Sequence, residues 1–445
     1  MKSTAVLLIG LIAVDTVGSI RLRAQSAAVR PRADGATARQ PAGAVHAEGR
    51  AVADAAGPFK ALGATLFWGT WAYKSDRARL ERNLKVLSAA GVDYVRVLGS
   101  VGGTSWEDRE TDPRWSDYDA IIAGMTDLAY DRYGLRVQWT LFGGAPFTPS
   151  GASRELLVDR FATMARGREH KIFAFEIANE AWQNGFRGPE GLAELRRLGT
   201  RLNEKTTVLV ALSSPSKGTA CATYAQSGAD AMTLHYERGF GADGPIGPML
   251  RPWTFPAGYD RRCRGQLPLV VLNNEPIGPE SSVRQDDSPS RIAAGFVITF
   301  LAGNAAYVLH AGPGIRGGGA ADVSSKLRRH AHFDELPSFK PIAAALGAAK
   351  AYLPPGLANW TRHERNSATA PVQGFDRLYT ATSGNRFITV AAGLTKPVTV
   401  RAHVTATIEI RELATGTIIK TLQVSSGDAI ELGGYDELII IGRGT

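Results

Sequence analysis

Cysteine is scarce in this chain, with two in 445 residues. That excludes an all-cysteine zinc or iron–sulfur site, which needs four thiolates, and a small scaffold held together by disulfides. Long apolar runs are missing too. The N-terminal run Ala5–Val14 is half of the roughly 20 residues a helix needs to cross a bilayer, so stable membrane insertion is not expected. Glycine and proline, at 49 and 23, stay together below the share that marks low complexity, and a chain folding around a core is expected. The positive excess is modest, 51 Lys and Arg against 42 Asp and Glu, and residues 1–57 hold 7 of the former against 4 of the latter. The rest is spread along the chain without a basic patch. Nucleic acid is therefore not an expected partner, whereas an acidic glycan remains compatible.

What is present falls into blocks. Lys2, the apolar run and the small residues around Ala24–Ala27 follow the order of a secretory signal. Residues 1–25 are read as a signal peptide, and the protein as secreted or periplasmic. Residues 26–57, rich in Ala, Arg, Gly and Pro and without helical or strand period, read as a flexible arm.

From residue 58 to 353 a rhythm sets in of short β-branched or aromatic runs, loops, and amphipathic helices. The runs are 62–68, 94–98, 135–141, 172–178, 207–212, 231–236, 267–273 and 306–310. Helices are expected over 77–90, 118–133, 154–165, 189–202, 290–301 and 339–352. Strands that are apolar throughout suit a parallel sheet buried on both faces, and eight βα units predict a (β/α)8 barrel. The segment Gly312–Gly317 spells GxGxxG, but Pro313 interrupts it and glycines follow where a helix should start, so it reads as a loop and not as a dinucleotide site. Residues 354–374 read as a linker. After it, short alternating runs separated by turn residues predict a small antiparallel β-sandwich over 375–445.

Catalytic groups of such a barrel stand at the C-terminal ends of its strands. Strand four ends Asn179-Glu180, strand six His235-Tyr236-Glu237, and strand seven Asn273-Asn274-Glu275. Glu180 and Glu275 thus face each other across one mouth. A pair of carboxylates so placed suits glycoside hydrolysis, one protonating the leaving oxygen and the other attacking the sugar or activating water. Glu176, two positions before the strand end, reads instead as a barrel-side ion pair.

With Ile177-Ala178-Asn179-Glu180, His235-Tyr236, Asn274-Glu275 and Arg96 in Tyr94-Val95-Arg96-Val97, residues 60–353 resemble the clan of retaining (β/α)8 glycoside hydrolases that contains cellulase-like endoglucanases, β-mannanases and β-galactosidases. The resemblance implies Glu180 as general acid/base and Glu275 as nucleophile, acting on a β-linked oligo- or polysaccharide with neither metal nor cofactor. It further implies that Asn179 bonds the sugar 2-hydroxyl and that Arg96 with Tyr236 keeps Glu275 ionised. The acid Glu180 is expected in the drier setting.

Three departures from the clan's pattern stand out. Ala181-Trp182 follow Glu180 where many members have proline, His310 stands at strand eight where many have tryptophan, and His235 and Tyr236 are adjacent, so one of the two faces inward. Trp68, Trp71, Trp182 and Trp253 follow strand ends and are candidates to stack on sugar rings, with barrel core as the competing reading. His330-Ala331-His332 lies in an Arg-rich segment away from clustered acids and reads as solvated surface. Cys221 and Cys263 fall in the neighbouring loops after strands five and six. In an exported protein they form one disulfide, and otherwise two free buried thiols. A catalytically silent carbohydrate-binding or scaffold protein on the same barrel is the alternative function.

Overall fold

A computed structural model describes residues 40–103, 106, 108–216, 218–255, 263, 265–317 and 330–445. The expected signal peptide and the first part of the expected arm lie outside these residues. Eight parallel strands close into a barrel: Ala61–Thr65, Tyr94–Ser100, Arg136–Phe142, Ile172–Ala178, Val210–Ala211, Ala231–Leu234, Val270–Asn273 and Ala306–Leu309. The first strand pairs with the eighth from Ala61↔Ala306 to Ala64↔Leu309, and each other strand pairs with its sequence neighbours. All eight lie within a residue or a few of the runs expected from the sequence.

The helices form where the apolar spacing put them. Arg77–Ala89 starts at Asp76, whose side chain accepts from the Arg79 N–H, and buries Leu80, Leu84 and Leu87. It stops at Gly91, whose positive φ of 74° suits glycine. The others are Tyr118–Asp127, continued by a π turn over Leu128–Arg132, then Gly151–Ala165, Gly188–Asn203, Pro289–Leu301 and Phe339–Tyr352. Gly312–Ile315 forms one short helical turn. A Cβ on Gly314 would fall 1.7 Å from the Thr65 carbonyl oxygen, so this glycine is there for close packing on the first strand.

Two segments differ from the expectation. Residues 40–57 are not an arm. His46–Glu48, Ala51–Asp54 and Gly57–Phe59 make a three-stranded antiparallel sheet, with Val52 and Phe59 packed against Tyr94, Phe173 and Leu272. Asp54 forms a buried ion pair with Arg136 at 2.8 Å, at the start of the third barrel strand, so the sheet closes the end opposite the catalytic ends. Strands of three or four residues are too short to show a period; burial orders them. Residues 354–374 likewise include paired strands, Thr361–His363 and Val372–Gln373, which belong to the sandwich.

The sandwich combines a six-stranded sheet, in the order 361–363, 378–383, 386–392, 437–444, 406–412 and 418–424, with a three-stranded one of 372–373, 398–402 and 429–432. Alternation decides its packing. Leu378, Phe387, Ala391, Leu438 and Ile440 fill the space between the sheets, while Tyr379, Ala381, Ile388, Val390 and Ile439 join the core of the barrel. Trp253 meets Tyr379 edge to face at 5.4 Å on that seam.

Candidate active site

Glu180 follows the fourth strand, and its backbone sits at φ 42°, a left-handed conformation that a residue with a Cβ adopts at a cost. The turn is held on both sides. The Asn179 N–H donates to the Phe142 carbonyl on the third strand, and the Ala181 N–H to Ser213 Oγ after the fifth. Glu275 follows the seventh strand and is buried. His235 Nδ1 lies 3.1 Å from Glu180 Oε1 and 3.5 Å from Glu275 Oε2. A ligating atom from each of the three residues lies within 4.8 Å of the others. This trio has the donors for a divalent cation, but Arg96 Nη1 at 2.8 Å and Arg238 Nη1 at 3.5 Å already supply positive charge to Glu275. The residues present therefore fit a metal poorly.

Arg96 is the hub. Its side chain is fully buried and donates from Nη1 to Glu275 Oε1 at 2.8 Å, from Nη2 to Asn179 Oδ1 at 2.8 Å, and from Nη2 and Nε to Glu176 Oε2 at 2.7 and 3.1 Å. Glu176 also accepts from Thr140 Oγ1 at 2.6 Å, so it is an ion pair inside the barrel that fixes the guanidinium. A buried charge so fully bonded is rigid, and losing one partner costs about 3–5 kcal/mol.

Burial alone would raise the pKa of Glu275, but His235, His310, Arg96 and Arg238 outweigh it and hold the carboxyl well below the usual carboxylate range. His310 itself is held down at about 3, first by burial and then by Arg238, Arg96 and His235, against Glu275. It is therefore neutral at ordinary pH. Arg96 and Arg238, whose charges are permanent, favour the ionised form of Glu275 at every ordinary pH.

Several expected residues stand elsewhere. Tyr236 turns behind the sheet, where its hydroxyl donates to Asn304 Oδ1 at 2.9 Å; His235 is the inward-facing member of the pair, and Arg238 stands at Glu275 where Tyr236 was expected. Glu180 is also the wetter carboxylate, its side chain 19% exposed against 6% for Glu275, contrary to the expected drier setting. Both stand two residues beyond their strands, but Glu275 is covered by Arg96, Arg238 and His310, whereas Glu180 has Gln183 Nε2 against its Oε2 on the rim.

The tryptophans divide. Trp68 is fully buried, donating to the Pro313 carbonyl at 2.7 Å, and is core and not a sugar platform. Trp253 is likewise buried on the seam with the sandwich. Trp71 is half-buried beneath the guanidinium groups of Arg79 and Arg109. Trp182, two residues past Glu180, is 47% exposed. His310 is buried at the end of the eighth strand, its Nδ1 2.9 Å from Thr65 Oγ1. His330 bonds Glu280 and His332 lies against Asn83, with no cluster of further ligands among the described residues. Cys221 and Cys263 are joined in a disulfide with Cα atoms 5.4 Å apart.

No helix among the described residues is long and apolar enough to cross a membrane. Neither a family model nor a curated protein matches the chain by sequence. Solved structures do match by shape. One titled a glycoside hydrolase superposes with a TM-score of 0.64 at 14% identity, over 91% of this chain and 97% of that one. A glycoside hydrolase family 5 protein from Bacteroides vulgatus gives 0.65 at 12% identity, over 90% and 94%. The chain therefore has the fold of the (β/α)8 glycoside hydrolases, barrel and C-terminal β-sheet domain together.

Proposed function

We propose that the protein is a retaining glycoside hydrolase that cleaves a β-linked oligo- or polysaccharide, with Glu180 as acid/base and Glu275 as nucleophile. The observation that carries this reading is the pair of carboxylates meeting on His235, with the atoms of all three within 4.8 Å. Retention calls for carboxyl groups about 5–5.5 Å apart, and inversion for roughly 6.5–9.5 Å to admit a water between them. In the first step a Glu275 oxygen attacks the anomeric carbon and forms a glycosyl ester, while Glu180 gives its proton to the departing glycosidic oxygen. In the second step Glu180 takes a proton from water, the water oxygen attacks the anomeric carbon, and Glu275 leaves as carboxylate. Arg96 and Arg238 hold that carboxylate charge in the free enzyme, before the ester forms and after it is hydrolysed. Asn179, anchored through Oδ1 to Arg96, stands beside the site with its amide group available to the sugar, and Trp182 offers an exposed ring two residues past Glu180. A silent carbohydrate-binding protein on this barrel is the second reading; it has no need of two carboxylates bridged by one imidazole.

The test is hydrolysis of a panel of aryl β-glycosides and polysaccharides. Glu180→Gln should lose about 10²–10⁴-fold on substrates with poor leaving groups, and proton NMR of the first product should show the retained anomer. Glu275→Gly should regain turnover of an activated glycoside when azide is added, giving the inverted azide. No turnover across the panel would overturn the reading. An inverted first product would overturn the mechanism, and azide inversion by Glu180→Gly in place of Glu275→Gly would exchange the two roles. Export belongs to the same proposal: the disulfide is compatible with an oxidising compartment, and N-terminal sequencing of the mature protein would locate the cleavage.

A further inference from the structure

His310 is bound at one nitrogen and unbound at the other. Nδ1 lies 2.9 Å from Thr65 Oγ1, while Nε2, fully buried, has no hydrogen-bond partner and faces Glu275 Oε2 at 3.9 Å, too far for a hydrogen bond. Phe67 stands edge-on at 5.9 Å and restricts the ring. A threonine hydroxyl can donate to Nδ1 or accept from it, so Thr65 alone leaves the tautomer open. The carboxylate decides. A lone pair on Nε2 aimed at Glu275 would be repelled, whereas an N–H aimed there is attracted. The guanidinium groups around that oxygen, Arg96 and Arg238, have no acceptor to offer Nε2 in its place.

We infer that the Glu275 carboxylate fixes His310, oriented by Thr65, as the neutral tautomer with its proton on Nε2, and that this N–H is a substrate-facing donor reading one ring hydroxyl of the sugar bound over Glu275. The second half rests on the glycosidase reading; the first does not. A buried donor left unpaired costs about 1–3 kcal/mol, a cost relieved when a ligand oxygen arrives. A sugar that lacks the matching hydroxyl leaves the donor buried and unpaired, so the group selects among sugars more than it speeds the chemistry. His310 is in this sense a specificity-determining residue, and Glu275 keeps its catalytic role without it.

Two measurements test this. Long-range ¹H–¹⁵N correlation spectra of the full chain should show His310 with its proton on Nε2 near neutral pH, and Glu275→Gln, which removes the facing charge, should give a mixture of tautomers. A proton on Nδ1 in the unsubstituted protein would overturn the inference whether or not the enzyme is active. In the second, kcat/KM is compared across singly deoxygenated aryl glycosides. One deoxy position should cost about 10- to 100-fold in the unsubstituted enzyme, and His310→Phe should abolish that penalty. Thr65→Val, which keeps the side-chain shape, should weaken it and serves if His310→Phe fails to fold. A penalty that persists in a folded His310→Phe overturns the substrate-facing half. Absence of any glycoside turnover by the unsubstituted protein overturns that half together with the glycosidase reading, and the spectra still decide the tautomer.

Discussion

Glu275 lies between two guanidinium groups, Arg96 below it inside the barrel and Arg238 beside it in the loop after strand six. Arg96 was legible in the sequence because an arginine inside the run Tyr94-Val95-Arg96-Val97 has no water to reach and must be paired. Arg238 was not, since it lies four residues past the strand end at Leu234, where no spacing marks a direction. Its removal should be visible in the pH profile. In the proposed mechanism Glu275 reacts as carboxylate, and its pKa is lowered by these cations. Arg238→Gln should raise that pKa and move the acid limb of kcat/KM upward by about one pH unit; an unmoved limb would show that Arg96 alone sets it.

A second effect of pH concerns stability. His310 titrates near 3 in the folded chain and near 6.5 when unfolded, so between these values the unfolded state binds the extra proton. Stability is then lost as pH falls from 6.5 toward 3. Glu275 acts in the same sense, its contribution being present above about pH 4.3 and lost as pH falls through its lower folded value. Chemical denaturation at a series of pH values should show a steep acid decline, which His310→Gln flattens by about one proton.

At the scale of elements, length decided what could be read. Strands such as Ile172–Ala178, with seven buried residues bounded by breakers, announced themselves, and the six longer helices followed from their leucine and alanine spacing. The sheet of Ala51–Asp54 and its neighbours escaped because three or four residues carry no period, and what orders them is the Asp54–Arg136 pair and the barrel beneath. Parity explains the strand-six end. Adjacent residues of the extended segment that continues the strand point to opposite faces, so His235 and Tyr236 could not both serve Glu275, and it is His235 that does. The burial of Trp68 was equally hidden: its ring is covered by the turn at Pro313, 245 residues away.

The disulfide also acts at this scale. It closes a loop of 42 residues between the segments after strands five and six. Loop-closure entropy for that length is worth about 4 kcal/mol. Replacing both cysteines by serine should therefore lower the unfolding free energy by about 2–4 kcal/mol, read from urea denaturation, with a larger m-value because the uncrosslinked unfolded chain exposes more surface.

For the whole molecule, the division into barrel and sandwich is one of topology more than of core. The six-stranded sheet gives one face to the sandwich and the other to the barrel, where helix Pro289–Leu301 has ten of its 13 residues buried. A chain ending at Leu353 would uncover Tyr379's partner Trp253 and that helix together. It should aggregate, or lose its near-ultraviolet circular dichroism, in size-exclusion and spectroscopic assays; a soluble, cooperatively folding barrel would show the seam to be dispensable. The same seam sets the terms for recombination. In chimeras with other barrel hydrolases the sandwich cannot travel by itself, because half of its fit is written on helix Pro289–Leu301 and on Trp253. The smallest exchangeable block runs from Trp253 to the C-terminal strand, and it takes His310, with its proposed reading of the sugar, along with it.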